Sequence, residues 1–388
     1  MCSVQCGVSI HIILGYRIYL RKQHIRKATL TLVRSVLSEM TPLDRCLGNG
    51  THKTTGRLCV TVAGPIRFRY STERWHEDRV RRDLLSPLDD TFGAELNGPW
   101  FAPPEGWAAR RLEMDNGDLA LFCWNGQEAY WLGNTQTPEP LWRTDKRTFE
   151  ASPDAISEWG QRELFAQLEV EDPWLAEYET LAHFFLPVLL SKDGRESTRT
   201  FFRDHAAGFP DADRDDGLAF YDDFLSTGVL DDDRYTMASK LGTSSGFELA
   251  RMQATMGEFN TAKLLVDAGN DIEPEVELGS GHSIDFRVED TLVEVTRPRP
   301  PARRQITTAI GALKATGDAK TRDQLAAHPG AVLVVDCSSF HDDEWRRVLG
   351  VEPGVGYEPP VAFRYRPDGR VEGYSPGSVP FPLPSCRR

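Results

Sequence analysis

The stretch SIDFRVEDTLVEVTRPRPPARR, from Ser283 to Arg304, predicts two short strands about a tight turn, followed by a proline-broken, arginine-rich segment. With the turn at residues 288–291, Asp285 and Glu294 lie directly opposite each other. Like charges in that arrangement destabilise a sheet. The pair therefore indicates either a shared divalent cation, Mg²⁺ or Mn²⁺, or a solvated face on which salt screens the repulsion.

The two-residue period of a strand assigns the hairpin side chains to two faces. One face is apolar and consists of Ile284, Phe286, Val288, Val293 and Val295. The other face carries Asp285, Glu294 and Thr296. We therefore expect the two carboxylates to share one face with a threonine.

The sequence around the hairpin predicts the order helix, three strands, helix, strand. Apolar spacing and a Gly269-Asn270 stop signal predict a helix from Gly246 to Gly269. The run AVLVVDCSS at 331–339 is continuously apolar, which is typical of a strand buried on both faces. The other expected elements are a strand at 275–278, a helix at 302–316 and a second helical piece at 320–327.

The rest of the chain predicts a multidomain protein of mixed α+β or α/β class. Asn116-Gly117 and Asn125-Gly126 predict hairpin turns in a β-meander, and apolar residues three and four apart predict helices further on. The expected divisions are a small mixed α+β domain at 65–150, a helical region at 151–245, an α/β core at 246–345, and a C-terminal hairpin and tail at 346–388.

Residues 1–64 differ from the rest, because they hold nine basic and only two acidic residues. We expect either a mis-annotated start, with the true one near Val62, or a disordered basic tail that binds nucleic acid.

The whole chain has a net charge of -13, and only six of its lysines follow residue 64. An acidic, lysine-poor composition is typical of proteins from a salt-rich cytoplasm. The cysteines form no CxxC pair, and no apolar run is long enough to span a membrane.

The element order, together with Asp285 and a Glu-x-Thr motif at 294–296, resembles the PD-(D/E)XK nuclease superfamily across residues 246–345. This resemblance implies a restriction-endonuclease-like core that hydrolyses DNA or RNA with a metal-activated water. It makes Asp285 and Glu294 metal ligands and Glu258 a further catalytic acid. Gln305 matches the helix glutamine of RecB-like members. The whole chain also resembles an uncharacterised family from salt-loving archaea.

Thr296 departs from the superfamily pattern, which has a lysine there. That lysine positions the attacking water and stabilises developing negative charge, which a neutral threonine cannot do. The resemblance leaves two hypotheses. Either Lys314, Lys263 or Arg297 supplies the missing cation, or the chain is a catalytically inactive nuclease-fold protein that binds nucleic acid or a partner protein.

The segment after the hairpin is basic, with no acid between Arg297 and Gly317. Arginine binds phosphate through its planar fork of donors. We expect phosphate contacts from the polar residues of this segment, namely Arg297, Arg299, Arg303, Arg304 and Gln305. The alternative is a solvated loop whose arginines pair with surface acids.

Overall fold

The computed structural model describes residues 66–242, 247–278, 283–299, 308–323 and 325–384. The basic segment 1–64 and the predicted phosphate contacts Arg303, Arg304 and Gln305 lie outside these residues. Within them the chain is a mixed α and β protein with two six-stranded sheets. None of the described helices combines the length and the apolar character that are needed to cross a membrane.

The first sheet is antiparallel and has the strand order β2-β3-β4-β5-β1-β6. Its strands are β1 (Arg67–Ser71), β2 (Ala94–Asn97), β3 (Ala108–Met114), β4 (Leu119–Trp124), β5 (Ala129–Gly133) and β6 (Asp145–Lys146). The predicted meander is confirmed in β3, β4 and β5. Its two turns have Gly117 and Gly126 at φ +82° and +85°, values that glycine adopts without steric cost.

Helices connect and follow the strands of this sheet. Two short ones, joined by a π-helical turn at Arg81–Leu85, are α1 (Glu77–Val80) and α2 (Ser86–Phe92). The helices predicted over 151–245 are also present. They are α3 (Asp154–Glu171), α4 (Glu179–Phe184), α5 (Leu186–Leu189), α6 (Arg195–Asp204), α7 (Arg214–Leu225) and α8 (Arg234–Leu241).

The part of the chain that forms the second sheet follows the predicted order of helix, three strands, helix and strand. These elements are α9 (Leu249–Asp267), β7 (Ile272–Glu277), β8 (Ser283–Val288), β9 (Thr291–Thr296), α10 (Ala309–Asp323) and β10 (Val332–Asp336). Three more follow, α11 (Asp342–Leu349), β11 (Pro360–Tyr365) and β12 (Val371–Tyr374). The strand order is β12-β11-β10-β9-β8-β7, with β9, β10 and β11 parallel and the other pairs antiparallel.

Three buried apolar clusters hold these layers together. The largest combines one face of each sheet with side chains of α3 to α9, so the two sheets share a core. A second cluster packs the other face of the second sheet against α10 and α11, through residues such as Leu333 and Trp345. A third packs the first sheet against α1 and α2, around Phe122 and Trp131.

Helix α10 continues beyond the position where the sequence predicts its end. A helix ending at residue 316 and a second helical piece starting at 320 were expected, but a single helix runs on to Asp323. A Cβ on Gly317 would lie 2.6 Å from the carbonyl oxygen of Val355. The glycine therefore permits a close approach between two backbones rather than a helix end. The extra turns bring Lys320 to the hairpin, as described below.

Candidate functional site

The regular alternation of side chains between the two faces of the sheet is interrupted in β8 at Asp285. Ile284 packs in the cluster with α10 and α11, whereas Phe286 packs in the cluster between the sheets. Residues two apart in a regular strand share a face, so the strand kinks between them. Glu275, which lies across from Asp285 in the register of β7, has a φ of +53°, which is uncommon for residues other than glycine.

The kink corrects the predicted pairing of the two acids. The register is confirmed from Val288–Thr291 to Phe286–Val293, where the paired positions of β8 and β9 end. Beyond this pair, the N–H of Val295, two residues after Val293, donates to the Asp285 carboxylate at 2.7 Å. Asp285 therefore bonds to the backbone of β9 and does not form the expected cross-strand pair with Glu294.

Asp285 instead belongs to a group of three acids from three elements. Glu258 of α9, Glu275 of β7 and Asp285 of β8 each place one carboxylate oxygen within 4.8 Å of the others. Lys240, near the end of α8, lies 2.5 Å from Glu258 and also contacts Glu275. We call these three acids with Lys240 the carboxylate cluster. The side chain of Glu258 is 16% exposed, so solvent reaches the cluster.

Glu294 lies beside the carboxylate cluster with a lysine of its own. Its side chain is only 2% exposed, and its carboxylate pairs with Lys320 of α10. Burial, reinforced by the nearby charge of Asp285, raises the pKa of Glu294 to about 7. The site as a whole thus holds four carboxylates and two ammonium groups, a net charge of -2 when all are ionised.

The pKa values of the cluster reflect its burial and the close approach of its acids. Burial and the charge of Asp285 raise the pKa of Glu258 to about 8. Burial acts against the charge of Lys240, but Glu258 and Asp285 outweigh it and hold the pKa of Lys240 above its ordinary value. A proton on Glu258 therefore partly compensates the negative charge near neutral pH. Perturbed carboxyl groups of this kind concentrate at functional sites.

The structure places other lysines at the site than those suggested by the sequence. Lys314 is exposed on α10, and Lys263 pairs with Asp267 at 3.1 Å. Within the described residues, neither makes a contact with the carboxylate cluster. Instead, Lys240 contacts Glu258 and Glu275, and Lys320 contacts the neighbouring Glu294, although neither lysine is close in sequence to the acids that it touches.

Arg297 does not reach the surface at which phosphate would bind. Its side chain is 1% exposed and lies 3.3 Å from the buried carboxylate of Asp336. It also donates to the carbonyl oxygens of Gly208 at 2.8 Å and Gln253 at 3.2 Å. These contacts make Arg297 part of the protein interior, and of the predicted phosphate-binding residues only Arg299 is both described and exposed.

Sequence reasoning missed Lys240, Glu275 and Lys320. One signal was available, because only six lysines follow residue 64 and two of them lie at this site. No local spacing could identify them, since Lys240 is 18 residues from Glu258 and 35 from Glu275.

The raised pKa of Glu294 predicts a pH-dependent effect of Glu294→Gln. In the folded state this carboxyl keeps its proton up to about pH 7 instead of its ordinary 4.5. Its contribution to stability is therefore complete below about pH 4.5 and is lost as the pH rises through about 7. Glutamine resembles the protonated form, so Glu294→Gln should raise the unfolding free energy by about 1–3 kcal/mol at pH 8.

Urea denaturation in the presence of a chelator measures this effect. Near pH 4.5 the parent and Glu294→Gln should have the same unfolding free energy. Glu289→Gln, in the exposed turn of the same hairpin, is the matched control and should have no effect at either pH. A pH-independent difference between Glu294→Gln and the parent would contradict the prediction.

Comparison with known proteins identifies a family but no activity. Residues 63–383 match a family described as a family of unknown function (DUF5784). No curated protein and no solved structure matches the chain. The argument for a function therefore depends on the chemistry of the site.

Proposed function

We propose that this chain, which belongs to the family of unknown function DUF5784, is a metal-dependent nuclease that hydrolyses phosphodiester bonds of DNA or RNA. The observation that carries the proposal is the charge of the site. With every group ionised, four carboxylates and two lysines carry a net charge of -2, which one Mg²⁺ or Mn²⁺ balances. Both ions prefer carboxylate oxygen and are bound through one or two such groups together with substrate phosphate.

The residues of the cluster fit such an ion. Glu258, Glu275 and Asp285 supply three oxygens close enough together to share one cation. A bound divalent ion supplies an activated water and polarises the phosphate. Asp285 is positioned by the Val295 N–H, and Lys320 holds the carboxylate of Glu294.

Lys240 provides the charge that Thr296 lacks. Its ammonium group lies among the acids, where it can stabilise negative charge developing on the phosphate.

The order helix, three strands, helix, strand, with acids on the hairpin, supports a PD-(D/E)XK-like core. The acidic, lysine-poor composition supports a salt-rich cytoplasmic setting, as in salt-loving archaea.

A second function is favoured by the same lysine. Because Lys240 contacts Glu258 and Glu275 directly, its ammonium group is able to take the place of the metal. The chain would then be a non-catalytic nuclease-fold protein that binds nucleic acid. The two functions differ in whether divalent ions support cleavage.

A cleavage assay tests the proposal directly. Labelled single-stranded and duplex DNA and RNA are incubated with Mg²⁺ or Mn²⁺ at low and at high KCl. Asp285→Asn and Glu258→Gln should each slow cleavage more than tenfold, because each removes a charged ligand. The control is Asp290→Asn, in the exposed turn of the same hairpin, which should cleave like the parent.

Two results would count against the nuclease proposal. One is the absence of cleavage by the parent under all of these conditions. The other is cleavage that persists unchanged in Asp285→Asn and Glu258→Gln, which would indicate a contaminating nuclease or a different site.

A further inference from the structure

An exposed aromatic stack lies beside the start of α9. The ring of Phe247 stacks on the imidazole of His205, with centroids 4.8 Å apart and planes inclined by 21°. The side chain of Phe247 is nevertheless 40% exposed. His205 thus supports a phenyl ring that remains accessible from solvent.

The stack lies at the N-terminal end of α9, the helix that also carries Glu258 of the carboxylate cluster. Phe247 precedes the helix by two residues, and Glu258 follows Phe247 by eleven residues. From its start at Leu249 to Glu258 the helix advances by about 14 Å. Glu248, between Phe247 and the helix, has non-helical φ and ψ values of -119° and 74°, so the stack lies beyond the N-terminal end of α9.

Contacts between α8 and α9 connect the two features. Arg251, one turn after Phe247, donates to the carbonyl oxygen of Lys240 at 2.8 Å and to that of Gly242 at 2.9 Å. Thr255, one turn further, also donates to the carbonyl oxygen of Lys240, at 3.3 Å. The end of α8 that carries Lys240 thus packs along α9 between the stack and Glu258.

The start of the basic segment passes close to the residues that follow His205. Arg297 bonds to Gly208, three residues after His205, and to Gln253 of α9. The chain continues from Arg297 to Arg299, which is exposed. Exposed aromatic rings combined with basic side chains bind single-stranded nucleic acid, because bases stack on the rings and phosphates pair with the basic groups.

We propose that the stack of His205 and Phe247 is a platform for an unpaired base, so that the chain binds single-stranded nucleic acid. As a statement about substrate, this rests on the proposed nuclease function. A flat ring at the surface stacks on a base only when that face is not covered by a neighbouring base.

Binding without divalent ions tests the platform independently of cleavage. The probes are a fluorescein-labelled oligo-dT and a mixed-sequence duplex, titrated with the full chain. Phe247→Ala should weaken oligo-dT binding about fivefold or more, and Phe247→Trp should preserve or strengthen it. Duplex binding should not change. The matched control is Trp142→Ala, another exposed aromatic residue at 56% exposure, which should bind like the parent.

Phe247→Leu separates stacking from general apolar contact, because leucine retains apolar area without a flat ring. Leucine should bind oligo-dT as weakly as alanine. The platform is overturned if Phe247→Leu binds like the parent, if Phe247→Ala weakens duplex and oligo-dT binding equally, or if the parent binds no oligo-dT.

Cleavage and binding together show which proposal has failed. Oligo-dT binding that depends on Phe247, without cleavage under any condition, ends the nuclease proposal and supports the platform. Cleavage that depends on Asp285 but is unaffected by Phe247→Ala, on single-stranded and duplex substrates alike, supports the nuclease and overturns the platform.

Discussion

Arg297→Ala should lower the free energy of unfolding by about 3–5 kcal/mol, because it leaves a buried charge without its partner. Asp336 is 0% exposed, and Arg297, 3.3 Å away, is the cation that pairs with it among the described residues. The amide of Asn260 donates to Asp336 at 2.9 Å, but a neutral donor does not balance the charge. Arg297 also satisfies the carbonyl oxygen of Gly208, which alanine would leave without this bond.

Urea denaturation measures this loss. The unfolding midpoint should fall while the dependence of the unfolding free energy on urea concentration stays the same. The matched control is Arg299→Ala, two residues further along, which is exposed and should change stability by no more than about 0.5 kcal/mol. Combining Arg297→Met with Asp336→Leu should recover part of the loss, since no charge then remains buried. Equal stability of Arg297→Ala and Arg299→Ala would contradict the burial of Arg297.

The elements of the second sheet could be predicted because their signals are local. Alternation of apolar and polar residues indicated β8 and β9, and the short turn at 288–291 fixed their register, as confirmed by the pairing of Val288 with Thr291. The continuous apolar run at Val332–Asp336 correctly indicated a buried strand. Each of these features depends only on residues close in sequence.

The side of the sheet on which Asp285 lies could not be predicted, because it depends on residues that are distant in sequence. The kink in β8 lies across from a positive φ at Glu275 on another strand, and it separates Ile284 and Phe286 into two different cores. Strict alternation places both apolar residues on one face. The structural role of Gly317 was equally ambiguous. In sequence, a glycine that interrupts a helix looks the same as one that allows the backbone of Val355 to approach closely.

Lys240→Met should bind Mn²⁺ more tightly than the parent and cleave more slowly. The ammonium group lies 2.5 Å from Glu258 and also contacts Glu275, so it competes with a cation for the same oxygens. Two unit charges about 4 Å apart interact by about 4 kcal/mol at an effective dielectric of 20. Lys240 is 24% exposed, and solvent screening reduces this figure, which leaves an expected gain in affinity of about 10- to 100-fold.

The expected loss in turnover has a different origin. Removing a single group that stabilises developing negative charge typically slows a reaction by about 10²–10³-fold. Methionine fills a similar volume but carries no charge, so Lys240→Met removes that stabilisation while keeping the packing of α8 against α9. Calorimetry with Mn²⁺ and single-turnover cleavage at saturating metal measure the two effects separately. Lys263→Met is the control, because Lys263 lies on α9 and pairs with Asp267 outside the cluster.

The combination of outcomes distinguishes the two functions proposed for the site. Tighter Mn²⁺ binding with slower cleavage identifies Lys240 as a charge stabiliser in a working nuclease. A parent that binds no Mn²⁺ and does not cleave, together with a Lys240→Met variant that binds Mn²⁺ and still does not cleave, identifies Lys240 as a permanent replacement for the metal. Weaker Mn²⁺ binding in Lys240→Met, at unchanged thermal stability, would contradict the competition on which both interpretations depend.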